Sequence, residues 1–249
     1  MNLPHGRHQR HSVIKPLQTY QTSAANKAPS LIRGLYAITP DEHHTALLIS
    51  QVSEALAGGV RLLQYRNKPA NKILALEQAS ALRKLTAGAG AQLIINDDIE
   101  LALAVSADGV HLGRDDGRID GAVVNFDSLR HRALNSRHQN GPFLVGVSCY
   151  NEMDSARAAV CAGADYLAFG SFFPSPSKPR AVRAELSLLD AAKHEFSLPL
   201  VAIGGITMEN TPQLVAAGAD AIAVISSLFS ADNIRAQAQL FSSLFDHHV

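Results

Sequence analysis

Ala162-Gly163-Ala164-Asp165-Tyr166-Leu167-Ala168-Phe169-Gly170 reads as a helix end, a tight turn on small residues and an apolar strand, with no linker between them. The same junction recurs as Ser106-Ala107-Asp108-Gly109 and Ala217-Gly218-Ala219-Asp220, and in a variant form as Ala57-Gly58-Gly59-Val60. Glycine ends a helix cheaply because it adopts the left-handed conformation without a Cβ clash. Recurrence at intervals of about two strand-helix units is the mark of an internally repetitive β/α barrel. Outward from these junctions, eight short runs read as strands: Gly34 to Thr39, Arg61 to Tyr65, Gln92 to Asn96, Gly109 to Leu112, Phe143 to Ser148, Tyr166 to Gly170, Leu200 to Ile203 and Ala221 to Ile225. Between them, Thr45 to Ala57, Lys72 to Ala87, Asp154 to Ala162, Asn210 to Ala217 and Asn233 to Phe245 place apolar residues at helical spacing. Strict alternation of strand and helix implies parallel pairing through right-handed crossovers. An open doubly wound sheet is the weaker reading, since no GxGxxG follows the first strand. The expected fold is a TIM (β/α)8 barrel over residues 31–249.

The chain's 249 residues, 47% of them hydrophobic, suffice for one such barrel. With 22 basic and 22 acidic residues the net charge is zero, so nothing calls for a nucleic acid or an anionic membrane, and any phosphate site must be local. Cys149 and Cys161 have no ligand-spaced partners, which argues against zinc or a disulfide framework and suits a reducing cytoplasm. Residues 1–30 are basic, free of acidic residues and without hydrophobic period, and read as a disordered tail. A transit peptide is the lesser alternative, because no amphipathic stripe is visible.

In a parallel barrel, chemistry gathers past the C-terminal ends of the strands. Here those ends carry Gln64-Tyr65-Arg66-Asn67-Lys68, Asn96-Asp97-Asp98, His111 to Asp116, Ser148, and a loop from Ser171 to Pro179 that includes Ser175, Ser177 and Lys178. Asp97 and Asp116 are placed to hold a hard cation such as Mg2+, which usually adds substrate phosphates and water to one or two carboxylates. Arg66, Lys68 and Lys178 then neutralise the remaining phosphate charge, a surplus of cations that a plain acid/base dyad leaves unexplained. Gly204-Gly205 lets backbone N–H groups approach a ligand closely, and Ile225-Ser226-Ser227 offers N–H groups and hydroxyls where a helix begins, so a second phosphate is expected at the last two strands. His111, with no carboxylate near in sequence to orient it, reads as a hydrogen-bonded rim histidine, and Cys149, one residue past Ser148, as a packing residue on the opposite face.

Gln64-Tyr65-Arg66-Asn67-Lys68, Ile95-Asn96-Asp97, Gly109-Val110-His111-Leu112-Gly113, Gly146-Val147-Ser148, Phe169-Gly170 to Lys178, Ala202 to Ile206 and Val224-Ile225-Ser226 resemble, in that order, the thiamine phosphate synthase family. The resemblance runs from about Gly34 to Phe229. It implies a TIM-barrel transferase that joins 4-amino-5-hydroxymethyl-2-methylpyrimidine diphosphate to 4-methyl-5-(2-phosphoethyl)thiazole, or its carboxylated form, releasing pyrophosphate. By resemblance, Asp97 and Asp116 hold Mg2+, and Arg66, Lys68, Ser148 and Lys178 are the catalytic set. Gln64, Tyr65, Asn67 and Asn96 join Arg66 and Lys68 around the diphosphate substrate, with Ser148 at the pyrimidine. Ser175, Ser177 and Lys178 close over the diphosphate and thiazole ends, and Gly205, Ile225 and Ser226 bind the thiazole phosphate. Two departures stand out: Asn67 where the family often has an acidic residue, and serines at 175 and 177 where threonines are common. The stretch from Gly117 to Gly141 is longer than usual and does not align. The nearest rival, thiazole tautomerase, generally lacks the second aspartate and the loop lysine and has a histidine near the position of Ser148. A non-catalytic sensing barrel would be free to lose one of the metal pair.

Overall fold

The computed structural model describes residues 32–113, 118–119, 122–123, 125–136, 142–175 and 182–245. The expected N-terminal tail lies outside them. Eight parallel strands close into a barrel in the order β1 (Gly34–Ile38), β10 (Ala221–Val224), β9 (Leu200–Ile203), β8 (Tyr166–Gly170), β7 (Leu144–Tyr150), β4 (Gly109–Leu112), β3 (Gln92–Asn96), β2 (Leu62–Tyr65). Closure is by parallel pairing of β1 with both β2 and β10, with Tyr36 opposite Leu62 on one side and Ala223 on the other. The helices are α1 (Thr45–Ala57), α2 (Lys72–Gly88), α3 (Ile99–Ala104), α4 (Phe126–Ser136), α5 (Met153–Cys161), α6 (Leu186–Glu195), α7 (Thr211–Ala216), α8 (Ser226–Phe229) and α9 (Ile234–Ser243). The stretch that resisted alignment holds the two-residue hairpin β5 (Arg118–Ile119) and β6 (Ala122–Val123), followed by α4.

Alternation along the strands sorts the core into two layers. Tyr36, Ile38, Leu62, Ile94, Tyr166, Val201 and Ala223 fill the barrel. Leu35, Ala37, Leu63, Leu93, Ile95, Leu167 and Ala202 face outward and pack with buried residues such as Leu48, Val52, Leu82 and Leu189 of the helices.

The repeated junction has a structural cause. Asp108, Asp165 and Asp220 each accept a hydrogen bond from the backbone N–H near the start of a neighbouring strand, from Leu93 (2.8 Å), Val145 (2.7 Å) and Leu200 (2.8 Å). Each is also paired with a cation, Arg83, Arg130 and Lys193 respectively. The aspartate thus sets the N-terminal rim of the barrel three times. At the variant junction, which has no aspartate, Arg61 instead donates to the Val60 and Leu56 carbonyls. Gly59, Gly163 and Gly218 make the turn at φ of +104°, +88° and +104°. The opposite rim, where the strands end, is left for the site.

Candidate active site

The strand ends open on a cavity of about 740 Å³. Beside it lies a second cavity of about 170 Å³, bordered by Tyr65, Asn67, Lys68, Asp97 and Asp98. Arg66 and Asn96 border both and form the wall between them.

Arg66 is held where it is by its backbone. Thr39, buried at the end of β1, donates to the Arg66 carbonyl and accepts from the Arg66 N–H, both at 2.9 Å. Asp41 receives the guanidinium at 3.3 Å and the Lys68 backbone N–H at 3.0 Å, so one carboxylate orders the strand end that carries two cations. Tyr65 and Asn67 are turned to the helix side. The Tyr65 hydroxyl and the Asn67 amide both donate to Gln78 at 2.9 Å, and Asn67 also donates to the Glu42 carbonyl. Burial pushes the Tyr65 phenol up to about 12. These two residues, expected from the sequence to meet substrate, border the small cavity and also tie the β2 end to α2 and to the segment before α1. The amide at 67 fills a donor role that a carboxylate could not.

Asp97 stands just past β3 with φ of +63°, a conformation that aspartate tolerates better than most side chains. Its N–H donates to the His111 carbonyl, and the Asn96 amide donates to its carboxylate. Asp98 caps α3 by accepting from the Leu101 N–H. Asp97 thus offers a carboxylate to the small cavity beside Arg66 and Lys68, a donor set that fits a hard cation shared with phosphate oxygens. Asp116 lies outside the described residues. Among those described, no group of three or more His, Cys, Asp or Glu side chains gathers as a metal site.

On the floor of the large cavity, Ser148 of β7 meets His111 of β4, Nε2 to Oγ at 2.9 Å. The other ring nitrogen lies 3.0 Å from the Tyr166 hydroxyl, and the imidazole stacks on the phenol with centroids 5.5 Å apart. The rim histidine is therefore oriented, by a tyrosine rather than a carboxylate. Gln64, 2% exposed, reaches into the same floor and donates to Tyr36 at 2.9 Å. Cys149 points to the outer layer, fully buried, with its thiol pushed up to about 12 by burial.

At β9 and β10 the cavity is bordered by Gly204, Gly205, Ile225, Ser226 and Ser227, with Ser175 across from them. Ser226 opens the short helix α8 where a helix start was expected. Glycine at both positions also has a packing reason. A β-carbon on Gly205 would overlap the Pro174 carbonyl and stand 2.8 Å from the Phe173 side chain, while one on Gly204 would overlap Ser171. The pair makes room for the loop after β8, whose Phe173 N–H donates to the Gly204 carbonyl, and both glycines border the cavity. Ser177 and Lys178 lie outside the described residues. Sequence reasoning missed Tyr36, Tyr166 and Thr39, which it placed only within strands.

A closed parallel barrel whose C-terminal rim joins a large cavity to a small one lined with charged side chains defines a TIM barrel with an enzyme-like site. Within that class, the chain belongs to the thiamine monophosphate synthase family, a family of transferases whose model matches residues 35–228. It is similar to the thiamine-phosphate synthase of Azoarcus sp., 49% identical over 216 residues that cover 86% of this chain and 98% of the relative. It is 48% identical to the thiamine-phosphate synthase of Nitrosospira multiformis, with 86% of each chain covered. Among solved structures, thiamine phosphate pyrophosphorylase from Pyrococcus furiosus superposes with a TM-score of 0.72 at 31% identity, over 87% of this chain and 96% of that one.

Proposed function

We propose that this chain transfers the aminopyrimidine-methyl group of a pyrimidine diphosphate to the nitrogen of a thiazole phosphate, yielding thiamine phosphate and pyrophosphate. The observation that carries the reading is the pair of cavities divided by Arg66 and Asn96. One has room for two ring systems; the other has the charge for a leaving diphosphate. Breaking the C–O bond builds negative charge on the diphosphate, so Arg66 and Lys68 stabilise the transition state more than the ground state. Mg2+ held by Asp97, with Asp116 as its expected second carboxylate, would supply further neutralisation of that charge. The aminopyrimidine carries the positive charge left behind, and Ser148 and Gln64 orient it. Gly205, Ile225 and Ser226 border the place for the thiazole phosphate, and closure of the loop bearing Ser175, Ser177 and Lys178 would keep water from the cation. Small charged substrates suit a cytoplasmic enzyme, and among the described residues no helix is long and apolar enough to cross a membrane.

The test is to mix the purified protein with both phosphorylated substrates and Mg2+ and to measure thiamine phosphate and pyrophosphate. Equal amounts of the two products are expected. A protein that isomerises the thiazole but releases no pyrophosphate is a tautomerase, and the proposal fails.

A further inference from the structure

Five side chains from five strands form one unbroken hydrogen-bonded chain under the large cavity: Gln64 to Tyr36 (2.9 Å), Tyr36 to Tyr166 (2.9 Å), Tyr166 to His111 (3.0 Å) and His111 to Ser148 (2.9 Å). Both phenols are essentially buried, Tyr36 at 1% and Tyr166 at 0% exposure. Burial holds both well above the usual tyrosine range, so each is neutral and has one proton to donate. The Gln64 amide nitrogen can only donate, which leaves Tyr166 as the acceptor for the Tyr36 proton. The Tyr166 proton then has His111 Nδ1 as its acceptor. That places the imidazole proton on Nε2, donating to Ser148 Oγ, and frees the Ser148 proton for the cavity. A reversed Gln64 amide would reverse every bond, so the proton position on His111 reports the polarity of the whole chain. The barrel is shaped for this arrangement: a β-carbon on Gly146 would overlap the Tyr166 ring.

We propose that Tyr36 and Tyr166 are positioning residues that hold His111 as its Nε2–H tautomer and so commit Ser148 to donate, and Gln64 to accept, toward whatever occupies the cavity. The ligand class follows: it offers an acceptor atom to Ser148 and an N–H to Gln64. An aminopyrimidine carries both, in its ring nitrogens and its amino group; this last step rests on the proposed function.

Nitrogen-15 NMR of histidine-labelled protein without substrate reads the tautomer directly, with His111→Gln identifying the signal. The expected wild-type result at mildly alkaline pH is a neutral ring protonated on Nε2. In Tyr166→Phe the tautomer population should shift, and kcat/KM for the pyrimidine diphosphate should fall by about tenfold, with KM for the thiazole phosphate unchanged. A wild-type proton on Nδ1 overturns the proposal. So does a Tyr166→Phe protein that keeps the wild-type tautomer, or one whose tautomer shifts with no loss of efficiency. The wild-type tautomer needs no substitution, so a variant that fails to fold does not remove the test. Because it also needs no turnover, a protein that makes no thiamine phosphate would sink the proposed reaction while the Nε2 proton still stands or falls by itself.

Discussion

Gly205, at φ of +63°, lies against the backbone of the loop that follows β8. Gly205→Ala should therefore displace the Ser171 to Ser175 segment, which borders the cavity, instead of blocking one phosphate. Catalytic efficiency should fall for both substrates, by on the order of tenfold to a hundredfold for a displacement near 1 Å. Steady-state kinetics with each substrate varied in turn checks this; a loss confined to the thiazole phosphate would restore the simpler view that the β-carbon fills phosphate space. Asp97 gives a second case. Asp97→Asn keeps a side chain that tolerates positive φ but removes the charge, so the fold should persist while Mg2+-dependent turnover drops, as a metal titration of activity beside a thermal melt would show. At this scale the position of a residue was legible where a polar type stands at a strand end, as with Arg66, Asp97 and Ser148, which border the cavities. The sequence was silent where function comes from a partner far along the chain. Tyr166 lies 55 positions from His111 and 130 from Tyr36, and a tyrosine on an apolar strand looks like any core residue.

The strand-helix junctions were legible because they repeat, but what the repeated aspartate does was not, since its N–H partner lies 15 or 20 residues earlier, on the adjacent strand. Short α3, with six residues, carries too little periodicity to be recognised, and α4 falls in the stretch that does not align. The aspartates allow a ranked prediction. Asp220→Ala leaves the N–H of buried Leu200 without its acceptor, worth about 1–3 kcal/mol. Its partner Lys193 is 46% exposed, so losing that ion pair adds little. Asp108 and Arg83 are each only 12% exposed, and removing one member of a buried pair costs about 3–5 kcal/mol. Urea unfolding should therefore place Asp108→Ala below Asp220→Ala in stability. The opposite order would mean that the ladder, not the ion pair, dominates at this rim.

Across the whole molecule, protons held by the core tie stability to alkaline pH. Cys149 and Tyr65 are each pushed up to about 12, and Tyr36 and Tyr166 are held well above the usual range, in every case mainly by burial. In the unfolded chain a thiol titrates near about 8.5 and a phenol near about 10. Between the unfolded and folded values the native state keeps a proton that the unfolded state has lost, so stability falls as pH rises, by about 1.4 kcal/mol per pH unit for each such group. The contribution is complete below about pH 8, erodes first through Cys149 and then, above about pH 10, through the three phenols as well. Urea midpoints measured from neutral pH to about 12 should trace a curve that steepens near 10. Phenolate absorbance from the buried tyrosines should rise only with unfolding. Lysines in general lose their protons in the same upper range, near about 10.4, so the lower part of the curve is the cleaner test. Cys149→Ala removes the group that titrates there. Whatever it does to the stability at neutral pH, it should flatten the slope between about 8.5 and 10. An unchanged slope would mean that the thiol is not protected by the fold, and that the decline has another source.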